Sequence, residues 1–353
     1  MGGAVRRVSR VVSACLVALC TLVACTAFDH YEARFDTINR SVGSSRDEMI
    51  LLNIARARYS HPLTFMSVGS LSGTQGGGGN IGLPTITFGP AQTPSQSQFV
   101  FGNNSLAATA NGNFVVSPLE SREFYQGLLQ PIGLNSVQFF LAQGYPRQIL
   151  FLLLIDAVRI KSGSGERVLY NNPTDPTYPD FADYIHQLIA AGVTVEASAS
   201  GAPGFCVDRG ASAAGDRALG PVCGSGRAPA GQLTGFRDPA TGRPGSLQIT
   251  VRSTYRLFRY LGRLSDPEVG RFVQLQGSQV GSIVLGEDRR LFPVTEEFGP
   301  RCLTSVQYLG RFTCVPAEGA EQGAVVLQLL TQLVALNTSI RDLPAVPTIR
   351  LAN

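Results

Sequence analysis

The stretch Arg147-Gln148-Ile149-Leu150-Phe151-Leu152-Leu153-Leu154-Ile155-Asp156-Ala157-Val158-Arg159-Ile160-Lys161 decides how this chain is read. Its centre, Ile149 to Ile155, is apolar on every side, so a helix built from it has no face to offer water. A permanent bilayer span needs about 20 such residues, and this run is shorter. The reading is therefore a helix opened by Pro146 and running from Arg147 to Lys161, buried at the centre of a protein core. Everything outward from it must supply its cover.

Outward on the N-terminal side, Asn135 or Ser136 starts a short helix closed by Gly144. Before that, Ser117-Pro118-Leu119-Glu120 reads as a capping box with proline at the first helical position, its helix ending by Gln130 ahead of Pro131. Another capping box, Ser45-Arg46-Asp47-Glu48, predicts a helix to about Arg58. On the C-terminal side, Asp180 to Ala191 is amphipathic and closed by Gly192, and Val193–Ala197 reads as a strand. Residues 198–245 are rich in Gly, Ala and Pro and read as one long loop. Beyond it come a strand at Leu247–Arg252, a helix at Thr254–Arg263 and a strand at Val280–Leu285. A hairpin follows, Leu303–Tyr308 with Arg311–Val315 around Leu309-Gly310, then an apolar helix at Gly323–Leu336 and a final strand at Val346–Leu351. Helices and mainly antiparallel strands mix without regular βαβ alternation, and no internal repeat is visible. The class is α+β.

One segment is set apart by what it lacks. Between Arg58 and Glu120 there is no Asp, Glu, Lys or Arg, only Gly, Ser, Thr, Asn and Gln with interspersed apolar residues. Leu63–Leu71, Ile81–Phe88, Phe99–Gly102 and Phe114–Val116 read as strands or strand fragments, with Pro84 at an edge and the run Gly76-Gly77-Gly78-Gly79 as a flexible turn. Leu63–Leu71 and Ser105–Val116 have the length and part of the alternation of outer-membrane strands. One chain carries too few strands to close a barrel, so insertion would need a ring of subunits. A water-exposed, loosely ordered β region is the alternative.

The chain opens with Arg6, Arg7 and Arg10, then an apolar run from Val11 to Val23, then Leu22-Val23-Ala24-Cys25. A basic start, a short apolar run and a small residue before the cut describe a secretory signal. With a cysteine directly after the cut, it resembles a bacterial lipoprotein lipobox. That resemblance implies cleavage of residues 1–24 and a diacylglycerol and acyl anchor on Cys25, enough chains for stable attachment. Residues 25–44 then read as a lipidated tether. Thr26, where Asp commonly retains a lipoprotein in the inner membrane, implies the outer membrane, on its periplasmic or surface face.

Loss of Arg6, Arg7 and Arg10 lowers the formal charge from +4 to +1, which leaves no electrostatic footprint for nucleic acid. Of 7 cysteines, Cys15 and Cys20 leave with the signal and Cys25 takes the lipid. Cys206, Cys223, Cys302 and Cys314 remain, and in an exported protein an even remainder points to two disulfides. Three pairings are possible. Cys206–Cys223 with Cys302–Cys314 is favoured because each pair flanks one short segment.

Candidate chemistry is sparse. There is no Gly-x-Ser-x-Gly elbow, since Gly69-Ser70-Leu71-Ser72-Gly73 has the wrong spacing. His30 lies in the tether, His61 before Pro62, and His186 one turn after Asp183, where the acid could orient an imidazole base. Asp156 and Glu296-Glu297 are the acids worth weighing for paired-carboxylate hydrolysis, with Asp156 alternatively paired to Arg159 or Arg147. No Cys/His set suggests a metal, and no cofactor motif is present. Arg252, Arg256, Arg259 and Arg263 form a candidate anion or partner face, the last three sharing one helix face.

Asn39-Arg40-Ser41-Val42-Gly43, Arg46-Asp47-Glu48-Met49-Ile50-Leu51-Leu52-Asn53-Ile54-Ala55-Arg56-Ala57, Pro62-Leu63-Thr64-Phe65, the run from Phe124 to Ile132 and Val306-Gln307-Tyr308-Leu309-Gly310-Arg311-Phe312 together resemble a group of uncharacterised proteobacterial outer-membrane lipoproteins. The group shares a helix of the form LLNI-x-R followed by PL-x-F. The resemblance implies an envelope location and carries over no functional residue except Cys25. The expectation is a lipid-anchored envelope protein of binding or structural type, its partner a protein or an envelope polymer, laid out as residues 45–197, a stapled loop at 198–245 and residues 246–353. A subunit of an oligomeric outer-membrane assembly using residues 63–119 is the second reading, and a cell-wall or lipid hydrolase the third.

Overall fold

Apolar composition alone does not extend the central helix to Lys161. In the computed structural model, residues 31–74, 86–87, 98–99, 111–163, 165–197, 202–208, 222–223, 232–238 and 241–338 are described. The chain divides into two compact units, Met1–Ser44 and Ser45–Asn353. The described part of the first is helical from Tyr31, and the same helix, α1 (Tyr31–Arg58), continues into the second. Ser45 therefore lies inside a helix rather than capping one, and part of the expected tether is helical. No proline interrupts Tyr31–Arg58, and its Glu, Ala, Arg and Met content favours helix. Cys25 and the expected strand at Val346–Leu351 lie outside the described residues.

In chain order there follow β1 (Met66–Thr74), β2 (Ile86–Thr87), β3 (Gln98–Phe99), β4 (Asn111–Pro118), α2 (Arg122–Leu129), α3 (Leu134–Ala142), α4 (Arg147–Leu154), β5 (Ile155–Ser162), β6 (Gly165–Tyr170), α5 (Tyr178–Ala190) and β7 (Val193–Ala197). Then come β8 (Pro203–Val207), β9 (Gln232–Arg237), β10 (Pro244–Val251), α6 (Thr254–Leu264), α7 (Pro267–Gly270), β11 (Gln279–Val280), β12 (Ile283–Val284), β13 (Cys302–Tyr308), β14 (Arg311–Pro316) and α8 (Glu321–Asn337). The class is α+β.

The deciding stretch is half helix and half strand. From Val158 the sequence alternates Val, Arg, Ile, Lys, and burial alternates with it, a period of two that suits a sheet with one covered face. This pattern, not the apolar centre, sets the boundary at Leu154. β5 pairs with β6 and β10, giving a four-stranded sheet in the order β6-β5-β10-β9, antiparallel throughout. Residues 198–245 are thus not one loop: β8 pairs with β7, and β9 joins the sheet.

A helix ending inside a protein leaves its last carbonyls needing donors. Here the Asn171 amide donates to the carbonyls of Leu152 and Ile155, both at 2.8 Å. Arg252 donates from its guanidinium to Leu153 at 2.6 Å and from its backbone N–H to Leu154 at 2.7 Å. Four successive carbonyls are satisfied by two residues. Ile149, Leu150, Phe151, Leu152, Leu153 and Leu154 are buried, in one cluster with Ile50 and Ile54 of α1, Phe181 and Ile185 of α5, Phe258 and Leu261 of α6 and Leu329 and Leu330 of α8. The segments 45–197 and 246–353 share that core. At Gly262 an added methyl would lie 2.6 Å from the backbone nitrogen of Arg58, so α6 meets α1 at a backbone-to-backbone approach only glycine allows.

Two further boundaries move. Ser121, not Ser117, caps α2, accepting from the Phe124 N–H at 3.0 Å, while Ser117 and Pro118 end β4. The segment Val280–Leu285 splits into β11 and β12 around Gly281, whose φ is +61°.

Candidate functional site

Arg252 does not belong to a surface face. It is 1% exposed, just past the end of β10, where the register against β5 shifts by one residue and leaves Asp156 of β5 as the extra residue. Its guanidinium lies 3.7 Å from the Tyr260 ring centroid, donates to the Asn171 carbonyl at 2.6 Å and meets Asp156 at 3.4 Å. Burial draws the Arg252 pKa down, while Tyr260 and Asp156 oppose the shift, and burial pushes the Tyr260 phenol up. A cation at a buried helix C-terminus also sits at the negative end of the helix dipole.

The other three arginines are exposed or half-buried and have partners of their own. Arg256 pairs with Asp156 at 2.8 Å, Arg259 donates to the Ser60 hydroxyl at 3.3 Å and Arg263 to the Asn172 side-chain oxygen at 3.0 Å. Asp156 thus bridges Arg252 and Arg256 rather than Arg159 or Arg147. Arg159 pairs with Glu166 across the sheet, and Arg147 with Asp208 at 3.2 Å. The expected anion face is an internal network with an exposed rim.

Both disulfides take the local pairing, Cys206–Cys223 and Cys302–Cys314. The first fastens β8 to the strand fragment at Val222, where Cys223 N–H donates to the Val207 carbonyl at 3.1 Å. The second ties the two strands of the β13–β14 hairpin. Glu196 lies beside Cys206 and Cys223, but both sulfurs are in the disulfide and supply no thiolate for a metal.

His186 lines a cleft of about 730 Å³ with Tyr145, Arg147, Gln148, Glu196 and Gln279. The Gln148 amide lies 3.1 Å from His186 Nδ1. Burial lowers the His186 pKa, with Asp183 pulling the other way. The imidazole is held by an amide. No serine or free thiol stands among the residues lining the cleft. Glu296 and Glu297 are exposed and each faces an arginine, Arg311 at 3.5 Å and Arg301 at 3.1 Å. His61 is also taken up, its Nδ1 2.5 Å from the Tyr308 hydroxyl. His30 lies outside the described residues.

The uncharged segment gives the remaining candidate. β1 and β4 form a two-stranded antiparallel ribbon, and β2 pairs with β3. The ribbon springs from a rigid root. Asn53 in α1 is fully buried and clamps Thr64 with two bonds, donating to its carbonyl at 2.8 Å and accepting from its N–H at 2.9 Å. Phe65 is wedged edge-on between Phe124 and Phe258, with centroids 5.4 and 5.3 Å away, and Leu119 N–H donates to its carbonyl at 3.0 Å. This gives the quoted residues Asn53 and Pro62-Leu63-Thr64-Phe65 a structural job. Sequence reading noted Asn53 and Pro62 only within a shared pattern and began the strand at Leu63, whereas it begins at Met66. The one signal was an Asn amid apolar helix positions, where a side chain that hydrogen-bonds backbone is expected.

No protein-family model matches the chain, no curated protein matches it, and no solved structure matches it.

Proposed function

We propose that this chain is a lipid-anchored envelope protein of binding or structural type, with the uncharged ribbon as its working element. The lipobox Leu22-Val23-Ala24-Cys25 supports the anchor. The observation that carries the binding role is the contrast at the root. A packed body clamps both ends of a two-stranded ribbon, and the chain between Arg58 and Glu120 holds no Asp, Glu, Lys or Arg. A segment of that length normally meets water through charges. One without them, held rigidly at its base, suits contact with another surface.

The anchor is tested with Cys25→Ser. Labelled palmitate is expected to enter the parent protein and not the variant, and the variant is expected to leave the membrane fraction. Equal labelling of the two proteins overturns the lipid-anchor reading.

A further inference from the structure

We infer that the cleft beside His186 is a carbohydrate-binding site, suited to a short stretch of uncharged oligosaccharide. The cleft is walled by α3, the turn from α3 to α4, α5, β7 and the segment around β11, so it is a site separate from the ribbon. Its volume of about 730 Å³ falls in the ordinary range of ligand clefts. Packing holds its walls. The turn between β11 and β12 rests on the start of α4, where a methyl added at Gly281 would lie 3.0 Å from the Pro146 ring. Phe140 backs the Tyr145 ring edge-on, with centroids 5.4 Å apart. A cleft fixed in this way spends little ordering entropy when a ligand enters.

The polar lining selects the ligand. Four glutamines, Gln138, Gln148, Gln276 and Gln279, line the cleft. A carboxamide carries donors and an acceptor without charge, and a hydroxyl both donates and accepts, so neighbouring sugar hydroxyls can answer both ends of one amide. The side chains of Gln138 and Gln276 take no partner among the described residues. Gln279 donates to the Gly281 carbonyl at 2.8 Å, which fixes the amide and leaves its oxygen. Gln148 is buried and meets His186 Nδ1 at 3.1 Å, so Nε2 is the ring nitrogen left to a ligand. The Tyr145 hydroxyl is shielded from water and has no hydrogen-bond partner among the described residues. Such a group costs free energy that a ligand hydroxyl would recover.

Charge narrows the choice further. Arg147 is the one cationic side chain among Lys and Arg in the lining, and Asp208 holds it at 3.2 Å. Glu196, on the exposed side, has no cationic partner among the described residues and would repel a polyanion. Its carboxylate is instead an acceptor for a hydroxyl. Ile189, Val195 and Val280 lie between the amides and offer apolar ground for the C–H faces of a sugar ring. Glu196 is also the only carboxylate among the lining residues, whereas glycoside cleavage calls for two. The site therefore binds a glycan and does not cut it, and it does so whether or not the chain carries a lipid anchor.

The test uses the full-length protein in a polyoxyethylene detergent, which has no sugar head group to compete. Saturation-transfer NMR and titration calorimetry follow three probes: chitotetraose, uncharged and N-acetylated; maltotetraose, uncharged without acetamido groups; and dextran sulfate, a polyanion. Binding of at least one neutral tetrasaccharide is expected. A preference for chitotetraose assigns the site to N-acetylated glycans, and equal binding of the two assigns it to uncharged glycans in general. The double variant Gln138→Ala/Gln276→Ala removes two free amides and should weaken binding about tenfold. Ala190→Trp, at an exposed position of α5 in the cleft wall, should abolish binding by filling the space. Circular dichroism checks that each variant is folded. Failure of the folded parent to bind either neutral tetrasaccharide, binding of dextran sulfate alone, or unchanged affinity in both folded variants overturns the inference. Palmitate incorporation is read on the same parent protein, so a missing anchor is told apart from a missing glycan site.

Discussion

At the end of α4 the body meets its backbone needs from within: Arg252 and Asn171 take the carbonyls of Leu152, Leu153, Leu154 and Ile155. Along the ribbon, β1 and β4 satisfy one edge each through their own pairing, and the described structure supplies no third strand. Buried charge does the closing in the first region, and charge is missing altogether in the second. An element that must be finished by its own fold carries the donors to do so. One without charged side chains carries no such internal closure and is suited to contact with another surface. If that contrast is sound, substitutions in the body should act on stability, and substitutions in the ribbon beyond Phe65 on association.

The largest effect belongs to Arg252. Arg252→Met removes the donor to Leu153 and Asn171 and leaves Asp156 with one of its two arginines. Removing one member of a buried charged network costs roughly 3–5 kcal/mol. Denaturant unfolding of the purified variant should show that loss, and Ser72→Arg should show almost none. A loss below about 1 kcal/mol for Arg252→Met would mean the C-terminal carbonyls of α4 find other donors, and the contrast would fail at its strongest point.

The disulfides come next. Cys206–Cys223 closes a separation of 17 residues and Cys302–Cys314 one of 12. The chain-entropy estimate for loops of this size is about 3 kcal/mol each. Unreduced peptide mapping should find both bridges and no free thiol among the four, and double Cys→Ser replacement of each pair should lower stability by about that amount. Both bridges lie in the body. Equal loss of vesicle association on their removal, with the body still folded, would blur the division between the regions.

How much of this was legible beforehand follows the same physics. Elements with local punctuation were readable: Gly192 closed α5, Val193–Ala197 was a strand as read, and Leu309-Gly310 turned the β13–β14 hairpin, where both residues take positive φ. The α4–β5 boundary was missed because Ile149–Ile155 drowns out the weaker alternation from Val158 to Lys161. β8 and β9 were missed because Gly, Pro and Ala mark turns and loops by composition, while a sheet partner is a long-range fact, and β6 because the central helix was read through the strand it pairs with. Arg252 was grouped with the arginines of the next helix as one candidate face, yet it is buried against the end of α4, a long-range placement that spacing does not report. Asn53 was quoted only for its pattern, and its two bonds to Thr64 need the fold to be seen.

Asn53 joins the two regions, and its replacement should have an intermediate effect. Asn53→Ala leaves the N–H and C=O of Thr64 without their partners, a cost of roughly 1–3 kcal/mol for a part-buried pair of groups. Hydrogen exchange should quicken at Thr64 and at Leu119, whose N–H bonds to Phe65 next door. Protection unchanged at both amides would show that Phe65 packing alone fixes the root, and the ribbon's rigidity would need another source.

The smallest effect is a slope in pH set by His186. Burial lowers its pKa in the folded chain relative to about 6.5 in the unfolded one. Between those two values the unfolded chain binds more protons, so stability rises with pH there. The contribution of neutral His186 is thus complete above about pH 6.5 and is lost as pH falls through the folded pKa. Asp47 works in the opposite sense, since burial raises its pKa and favours the folded state as pH drops. Total stability against pH therefore mixes the two, and a variant is needed to separate them. His186→Gln keeps an amide-sized polar group beside Gln148 and removes the titration. Between pH 7.5 and 5.5 the parent should lose more stability than His186→Gln, with the Asp47 contribution common to both. An equal loss in the two proteins would mean that the cleft hydrates His186 fully, so the imidazole belongs to the open surface and not to the packed body. A smaller loss in the parent would require a favourable partner for the protonated ring, with Asp183, one turn away on α5, as the group to test.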